Sequence, residues 1–197
     1  VTELHISSLN INDLTGIEDF TSLTSLDCDD NNLTNLNIST NTSLFNLDCS
    51  SNNLTSLNVS GASVLNNLYC SNNNLISLDV SGATAVRSFD CMNNQLTILD
   101  VRNGNNINFY NFYTTGNPNL TCINVDDDSY SNVNWINIDP QSYFSNNCSG
   151  TTNIEEHTTN KELLKVTDLL GRETKQTNQP LLYIYDDGTV EKRITID

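Results

Sequence analysis

Residues 23–38 read LTSLDCDDNNLTNLNI, and three further stretches lie beneath them without a gap: LFNLDCSSNNLTSLNV at 44–59, LNNLYCSNNNLISLDV at 65–80 and VRSFDCMNNQLTILDV at 86–101. The starting positions 23, 44, 65 and 86 advance by a constant interval of 21. Leu26, Leu47, Leu68 and Phe89 fall in one column, Cys28, Cys49, Cys70 and Cys91 in a second, and Asn31, Asn52, Asn73 and Asn94 in a third. Further columns hold Leu33, Leu54, Leu75 and Leu96, then Leu36, Leu57, Leu78 and Leu99, then Ile38, Val59, Val80 and Val101. A period this strict is architecture: one such unit cannot bury its apolar side alone, and copies must stack so that each leucine touches its counterparts above and below.

Triplets such as Leu26-Asp27-Cys28 alternate inward and outward as a short strand does, and stacking them at about 4.8 Å per coil builds a parallel sheet. A second alternation, Leu36-Asn37-Ile38, predicts a shorter sheet on the opposite side. The repeated asparagine falls at the bend after the strand, where its amide can bond backbone groups of its own and adjacent coils. Without it, each polar backbone group turned into the interior would cost about 1–3 kcal/mol.

The unit LxxLxCxxNxLxxLxV resembles the bacterial leucine-rich repeat of the 21-residue kind, over residues 1–125. The resemblance implies a mainly β, leucine-rich-repeat solenoid with a parallel sheet. The first coil is longer by a single position and runs through Leu4, Ile6, Leu9, Ile11 and Leu14; its LTGIEDFTSL is similar to internalin-type repeats. Val1 begins inside the pattern without an initiator methionine, so the start reads as processed or truncated, with any N-terminal cap missing. In the last coil Ile107 and Tyr110 keep the repeat register, while Leu120, Ile123 and Val125 arrive three residues late; this places a small insertion between Tyr113 and Asn119. Residues 126–148, DDDSYSNVNWINIDPQSYFSNNC, leave the repeat and supply Trp135, Ile138, Tyr143 and Phe144, as expected of a cap over the apolar end of the stack.

Two of the six cysteines, Cys122 and Cys148, stand outside the repeated column. In an exported protein such an isolated pair flanking a cap is expected to form a disulfide, closing a loop of about 26 residues. The four in register point inward and act as small apolar fillers. Stacked thiols lie along a line, which does not match the tetrahedron of a zinc site, and disulfides between adjacent coils would be strained.

A net charge of -16 argues against nucleic acid or an anionic membrane as partner. No stretch reaches the roughly 20 apolar residues that span a bilayer, so no membrane insertion of its own is expected. Neither His5 nor His157 has a nucleophile or carboxylate brought alongside by the repeat, and no GxSxG, HExxH, phosphate-binding glycine loop or CxxC occurs. The reading is a protein that is not an enzyme and carries no cofactor or metal. Calcium is the one ion to weigh, at Asp27, Asp29 and Asp30 or at Asp126, Asp127 and Asp128, but neither group has the spacing of a calcium loop and both read as solvated acidic surface.

The outward strand positions form columns: Asp27, Asp48, Tyr69, Asp90 and Asn111 in one, and Ser25, Asn46, Asn67, Ser88 and Phe109 beside it. These columns are the expected ligand face, acidic at one end and aromatic near Phe109, Phe112 and Tyr113, a mixture suited to protein or glycan contact. Phe112 also reads as filler beneath the cap.

Charge and pattern change near residue 150. Residues 1–150 hold two basic residues, Arg87 and Arg102, against fifteen acids; residues 151–197 hold six against nine. A linker is expected over 149–160 and a small antiparallel, β-sandwich-like domain over 161–197. Leu163–Thr167 reads as a strand ended by the Gly171 turn, and Leu181–Tyr185 and Thr189–Ile196 flank Asp186-Asp187-Gly188 as a hairpin. In DLLGRE and YIYDDGTVEK this tail resembles the C-terminal sorting domain of type IX secretion substrates of the Bacteroidota. Asp168, Gly171, Arg172 and Glu173 match its D-x-x-G-[KR] element, and Tyr183, Tyr185, Gly188 and Lys192 match its terminal hairpin. The resemblance implies recognition by the type IX translocon and its outer-membrane shuttle barrel, with removal of the tail when the cargo is attached or released. The expected function is a secreted or cell-surface binding protein that crosses the outer membrane and meets a protein or glycan ligand; the alternative is a structural adhesin or spacer segment with no discrete ligand.

Overall fold

The computed structural model describes residues 1–148 and three later strands, 163–168, 180–185 and 190–194. The chain divides into two compact units, Val1–Ser149 and Gly150–Asp197. In the first unit a β-solenoid of short strands runs β1 (Glu3–His5), β2 (Ser25–Asp27), β3 (Asn35–Asn37), β4 (Asn46–Asp48), β5 (Ser56–Asn58) and β6 (Asn67–Tyr69). It continues through β7 (Ser77–Asp79), β8 (Ser88–Asp90), β9 (Ile98–Asp100), β10 (Asn111–Tyr113), β11 (Cys122–Asn124) and β12 (Tyr143–Ser145).

Strands β1, β2, β4, β6, β8 and β10 form one continuous six-stranded sheet, in that order and all parallel. Leu4, Leu26, Leu47, Leu68, Phe89 and Phe112 pair in register down its centre. All but Leu4 are buried, Leu47, Leu68 and Phe89 completely. At roughly 1.5–3 kcal/mol per buried side chain, these contacts are the main term holding the stack. The opposite side is broken into two pieces, β3–β5 and β7–β9–β11–β12. At the break between β5 and β7, the amide bonds that Ile38 makes to Asn58 and Val80 makes to Asp100 have no counterpart from Val59 to Asp79.

The bends follow one plan. Asp30, Ser51, Asn72 and Asn93 take positive φ angles of 51°, 53°, 55° and 54°, each immediately before the repeated asparagine. That turn directs the asparagine inward. Asn73 Nδ2 donates to the carbonyls of Cys49, Cys70 and Ser71 at 3.0, 3.2 and 3.2 Å, and its Oδ1 accepts from Leu54 N at 2.9 Å. Asn52 and Asn94 repeat the set, and Asn117 carries it one coil further. Each side chain therefore satisfies donors and acceptors of two coils at once. In the last copy Gly116 takes the left-handed position at φ 82°, and a Cβ there would come 2.2 Å from Asn93 Oδ1.

Two sequence expectations need correction. Ile107 and Tyr110 do not continue the inward column: both are exposed, and Phe109 and Phe112 occupy the buried positions. Phe112 pairs with Phe89 at an interval of 23, and Ile123 with Leu99 at 24. Two of the three extra residues therefore precede β10 and one follows it. The two phenylalanine rings pack inward against Phe89 and Trp135, a contact that the insertion before β10 permits. Residues 126–148 leave the leucine repeat in sequence but continue its coiling, which the sequence does not foretell. After helix α1 (Asp128–Asn134), whose N-terminus is capped by Asp127 Oδ1 accepting from Tyr130 N, Asn137 bridges Tyr113 and β12 pairs with β11. The cap is itself a modified coil. Trp135 stacks on Phe112 with ring centroids 4.0 Å apart and meets Phe144 edge-on at 5.5 Å, closing the apolar end.

In the second unit β13 (Leu163–Asp168), β14 (Pro180–Tyr185) and β15 (Val190–Ile194) form one antiparallel sheet in chain order, not a two-layered sandwich among the described residues. The strand and hairpin pattern expected from the sequence is present. The linker at 149–160, His157 and the Asp186-Asp187-Gly188 turn lie outside the described residues.

Asn73→Ala orphans one amide and up to three carbonyls, and is expected to lower the unfolding free energy by about 2–4 kcal/mol in urea titration, whereas exposed Asn32→Ala should stay within about 0.5 kcal/mol. Trp135→Ala, which uncovers the end of the core, is expected to cost about 3–5 kcal/mol in the same assay.

Candidate functional site

The six-stranded sheet presents two outward columns. One is Glu3, Ser25, Asn46, Asn67, Ser88 and Asn111; the other is His5, Asp27, Asp48, Tyr69, Asp90 and Tyr113. The structure thus places Asp27, Asp48, Tyr69 and Asp90 together as expected, but moves Asn111 into the neighbouring column and puts Tyr113 in its place. Phe109 is not on the face: it is 7% exposed and packs against Phe89, Phe112 and Trp135.

The acids in the strand column have a structural task as well. Asp48 and Asp90 each use Oδ1 to accept the amide two residues on, from Ser50 at 3.0 Å and Met92 at 2.9 Å, holding the first turn of the bend. Asp27 faces Asp29 N in the same way, at 3.5 Å. His5 lies 3.7 Å from Asp27 and 3.8 Å from Glu3, and Ser8 donates to Asp30 at 2.7 Å. Burial, then the neighbouring Asp27, holds the Asp29 carboxyl above its ordinary range. Burial also raises Asp90, against the bond from Met92 and with the Asp48 charge adding to it. Negative charge is densest over β1, β2 and β4, where Glu3, Asp27 and Asp48 stand with Asp29 and Asp30 beside them.

Toward the C-terminal end the uncharged side chains of the face are bonded to one another, with Asp90 standing among them between Tyr69 and Tyr113. Asn67 Nδ2 donates to Asn46 Oδ1 at 2.5 Å, and Tyr110 Oη reaches back two coils to Asn67 Oδ1 at 3.0 Å. Tyr69 Oη and Ser88 Oγ are 3.1 Å apart, Asn111 Nδ2 donates to Ser88 Oγ at 3.3 Å, and Tyr113 Oη donates to Asn111 Oδ1 at 3.3 Å. These bonds hold the polar side chains of the face in set orientations before any ligand arrives. Sequence reasoning misses Tyr110 because the repeat register places it in the core. The signal is available: Phe109-x-x-Phe112 repeats the inward spacing of Val86-x-x-Phe89 as well as Ile107-x-x-Tyr110 does.

Behind the face, Cys28, Cys49, Cys70 and Cys91 stack as buried free thiols. The first three each donate weakly to a carbonyl of the next coil, of Asp48, Tyr69 and Asp90, with sulfur–oxygen distances of 3.4 Å. Burial pushes the Cys28 thiol up to about 12 and lifts the other three well above their ordinary value. Thiols so held are inert fillers. Cys122, at the start of β11, is disulfide-bonded to Cys148 and so ties the end of the cap to the coil beneath. At the two acidic triplets, Asp127 caps α1, and Asp126 exchanges bonds with Asn106. Among the described residues no group of three or more histidine, cysteine or acidic side chains is placed to hold a metal ion, and no helix is long and apolar enough to cross a membrane.

Of the tail residues matched to the sorting element, Asp168 lies on β13, Tyr183 and Tyr185 on β14 and Lys192 on β15. Lys192 pairs with Leu182 and Tyr183 with Glu191, so the terminal hairpin positions share one ladder. Gly171, Arg172, Glu173 and Gly188 lie outside the described residues.

A repeating parallel-stranded coil with leucine rungs and an asparagine at each bend defines a leucine-rich-repeat solenoid, of the architecture seen in internalins. Among solved structures, the chain is similar to the functional domain of InlJ from Listeria monocytogenes, which is described as including a cysteine ladder; the identity is 36% and the TM-score 0.51, over 63% of this chain and 30% of that one. The chain therefore spans about 30% of the length of that relative. No protein-family model matches the chain, and no curated protein does.

The burial of the four column thiols predicts that a maleimide at pH 8 labels none of them in the folded protein and all four after guanidinium denaturation. Labelling without denaturant, followed by mass spectrometry, checks this.

Proposed function

We propose that the chain is a secreted, cell-surface leucine-rich-repeat binding protein whose six-stranded sheet meets a protein or glycan ligand and whose tail, residues 161–197, is a type IX secretion sorting signal. The observation that carries the binding reading is the face itself. The uncharged outward side chains from Asn46 to Tyr113 bond to one another, so their ordering cost is met before a ligand arrives. The acids over β1, β2 and β4 supply a steering field toward basic or cationic surfaces. A face of this kind serves binding, and its side chains include no nucleophile–base pair of the sort that covalent or acid–base catalysis would need.

The export reading rests on the tail motif and on its antiparallel β13–β14–β15 arrangement, with the sorting positions Tyr183, Tyr185 and Lys192 on adjacent strands. A sheet edge is a handle that a translocon can take by strand pairing. In this reading the partners are the type IX translocon and its outer-membrane shuttle barrel, the cell belongs to the Bacteroidota, and the mature repeat unit is delivered across the outer membrane.

Two measurements test it. Mass spectrometry of the surface-exposed native protein should find residues 161–197 removed, and a tail retained on the mature surface form overturns the sorting reading. Tyr69→Ala and Tyr113→Ala should each weaken binding at least tenfold in a screen against host proteins, glycans and envelope components; a chain that binds nothing in that screen, or binds unchanged, is a surface spacer instead.

A further inference from the structure

At the C-terminal rim of the sheet, the outer edge of β10 is only partly covered. The chain returning from α1 meets it at one bridge, Tyr113 to Asn137, with Thr114 N donating to Asn137 O at 3.0 Å. Beside that bridge the two strands of chain part and leave a shallow cleft of about 80 Å³. That is smaller than an enclosed small-molecule pocket and suits one face of a single ring. Its rim is made by Tyr110, Asn111 and Tyr113 on one side and by Asn134, Ile136 and Asn137 on the other. Tyr110 and Ile136 line the cleft and are 63% and 81% exposed, the Tyr110 ring being held back over the sheet by its hydroxyl bond to Asn67. Trp135 lies against the cleft, 5% exposed, and its Nε1–H is buried without a hydrogen-bond partner.

The composition of this cleft is unlike that of the chain around it. In a protein of net charge -16, none of its lining residues carries a charge. The adjacent strand brings Arg87 and Asp90, of opposite sign, in register with Tyr110 and Tyr113. What the cleft offers is flat phenol rings and three asparagine amides. An amide presents a donor and an acceptor side by side, which matches the paired hydroxyls of a sugar, each of which both donates and accepts. Aromatic faces pack against the C–H side of a pyranose ring. A charged ligand would find no counter-ion here and would leave water at a cost without compensation.

We propose that this cleft is a subsite for one residue of a neutral saccharide, with Tyr110 and Tyr113 as the packing surfaces and Asn111, Asn134 and Asn137 as the hydroxyl partners. The proposal rests on the binding reading above and specifies the ligand class at the rim of the same face. The hydrogen-bonded row from Tyr69 through the buried Ser88 and Asn111 to Tyr113 fixes the orientation of the Tyr113 ring at the cleft.

The test is a printed array bearing neutral oligosaccharides beside their sialylated and sulfated forms, probed with the full chain, followed by titration of the strongest neutral oligosaccharide. Neutral glycans should bind, acidic capping of the same glycan should weaken binding at least fivefold, and Tyr110→Ala and Asn137→Ala should each weaken it at least tenfold. Ile98→Ala, on the opposite sheet, should leave it unchanged. The Tyr110 hydroxyl bond to Asn67 lies at the surface, so its variant keeps the fold, which a thermal melt verifies. Absence of any neutral glycan signal, or binding indifferent to Tyr110→Ala, overturns the proposal. A protein partner lost on Tyr69→Ala, with no glycan bound, would overturn it while leaving the binding reading intact.

Discussion

The solenoid depends on a single recurring set of hydrogen bonds at its bends. Every coil must turn sharply beneath its own strand, and the turn points backbone amides and carbonyls into an interior where no water can reach them. The repeated asparagine resolves this with one side chain: its amide nitrogen collects carbonyls from its own coil and the one before, while its oxygen receives an amide from the preceding coil. The left-handed residue just ahead aims it. Leucine rungs supply the larger free energy, but they are non-directional and would tolerate slippage; the asparagine bonds permit one register only. In the first coil Leu9 stands at this position and is exposed, and the gap is met from below, as Asn31 Oδ1 accepts from both Leu9 N and Ile11 N.

The outward face inherits its chemistry from the same geometry. Positions at the strand end are under two demands, since an aspartate there both tightens the bend and displays a carboxylate to solvent. Where tyrosine replaces it, at Tyr69 and Tyr113, the face loses charge and gains a ring whose hydroxyl bonds sideways along the sheet. The alternation of carboxylate and phenol along the C-terminal part of the face, Tyr69, Asp90 and Tyr113, thus follows from substitutions at one repeat position.

Much of this was legible in the chain alone because the repeat converts sequence distance into spatial contact. The columns of Leu26, Cys28 and Asn31 could be placed, with their burial and roles, from periodicity. What could not be placed is whatever breaks the period. Ile107-x-x-Tyr110 and Phe109-x-x-Phe112 carry the same internal spacing, and only the packing of two phenylalanine rings beneath Trp135 decides between them. The wrong choice put Phe109 on the face and hid Tyr110. Helix α1 was likewise illegible, since its short run carries no apolar stripe and its start rests on a single Asp127 cap. Apart from Tyr113 to Asn111, the sideways bonds of the face join residues 19 to 43 positions apart and have no local signature.

Strict register in the middle of the stack has a consequence for how such chains change over generations. A block one repeat long, taken from between Leu23 and Val86, meets the same rungs, thiols and amides whether it is present once or many times, so whole blocks can be gained or lost by unequal recombination without repacking anything. The C-terminal end enjoys no such freedom. Phe89, Phe112 and Trp135 are fitted to one another, and the last coils and the cap must therefore travel as a set while the length of the face before them is free to vary.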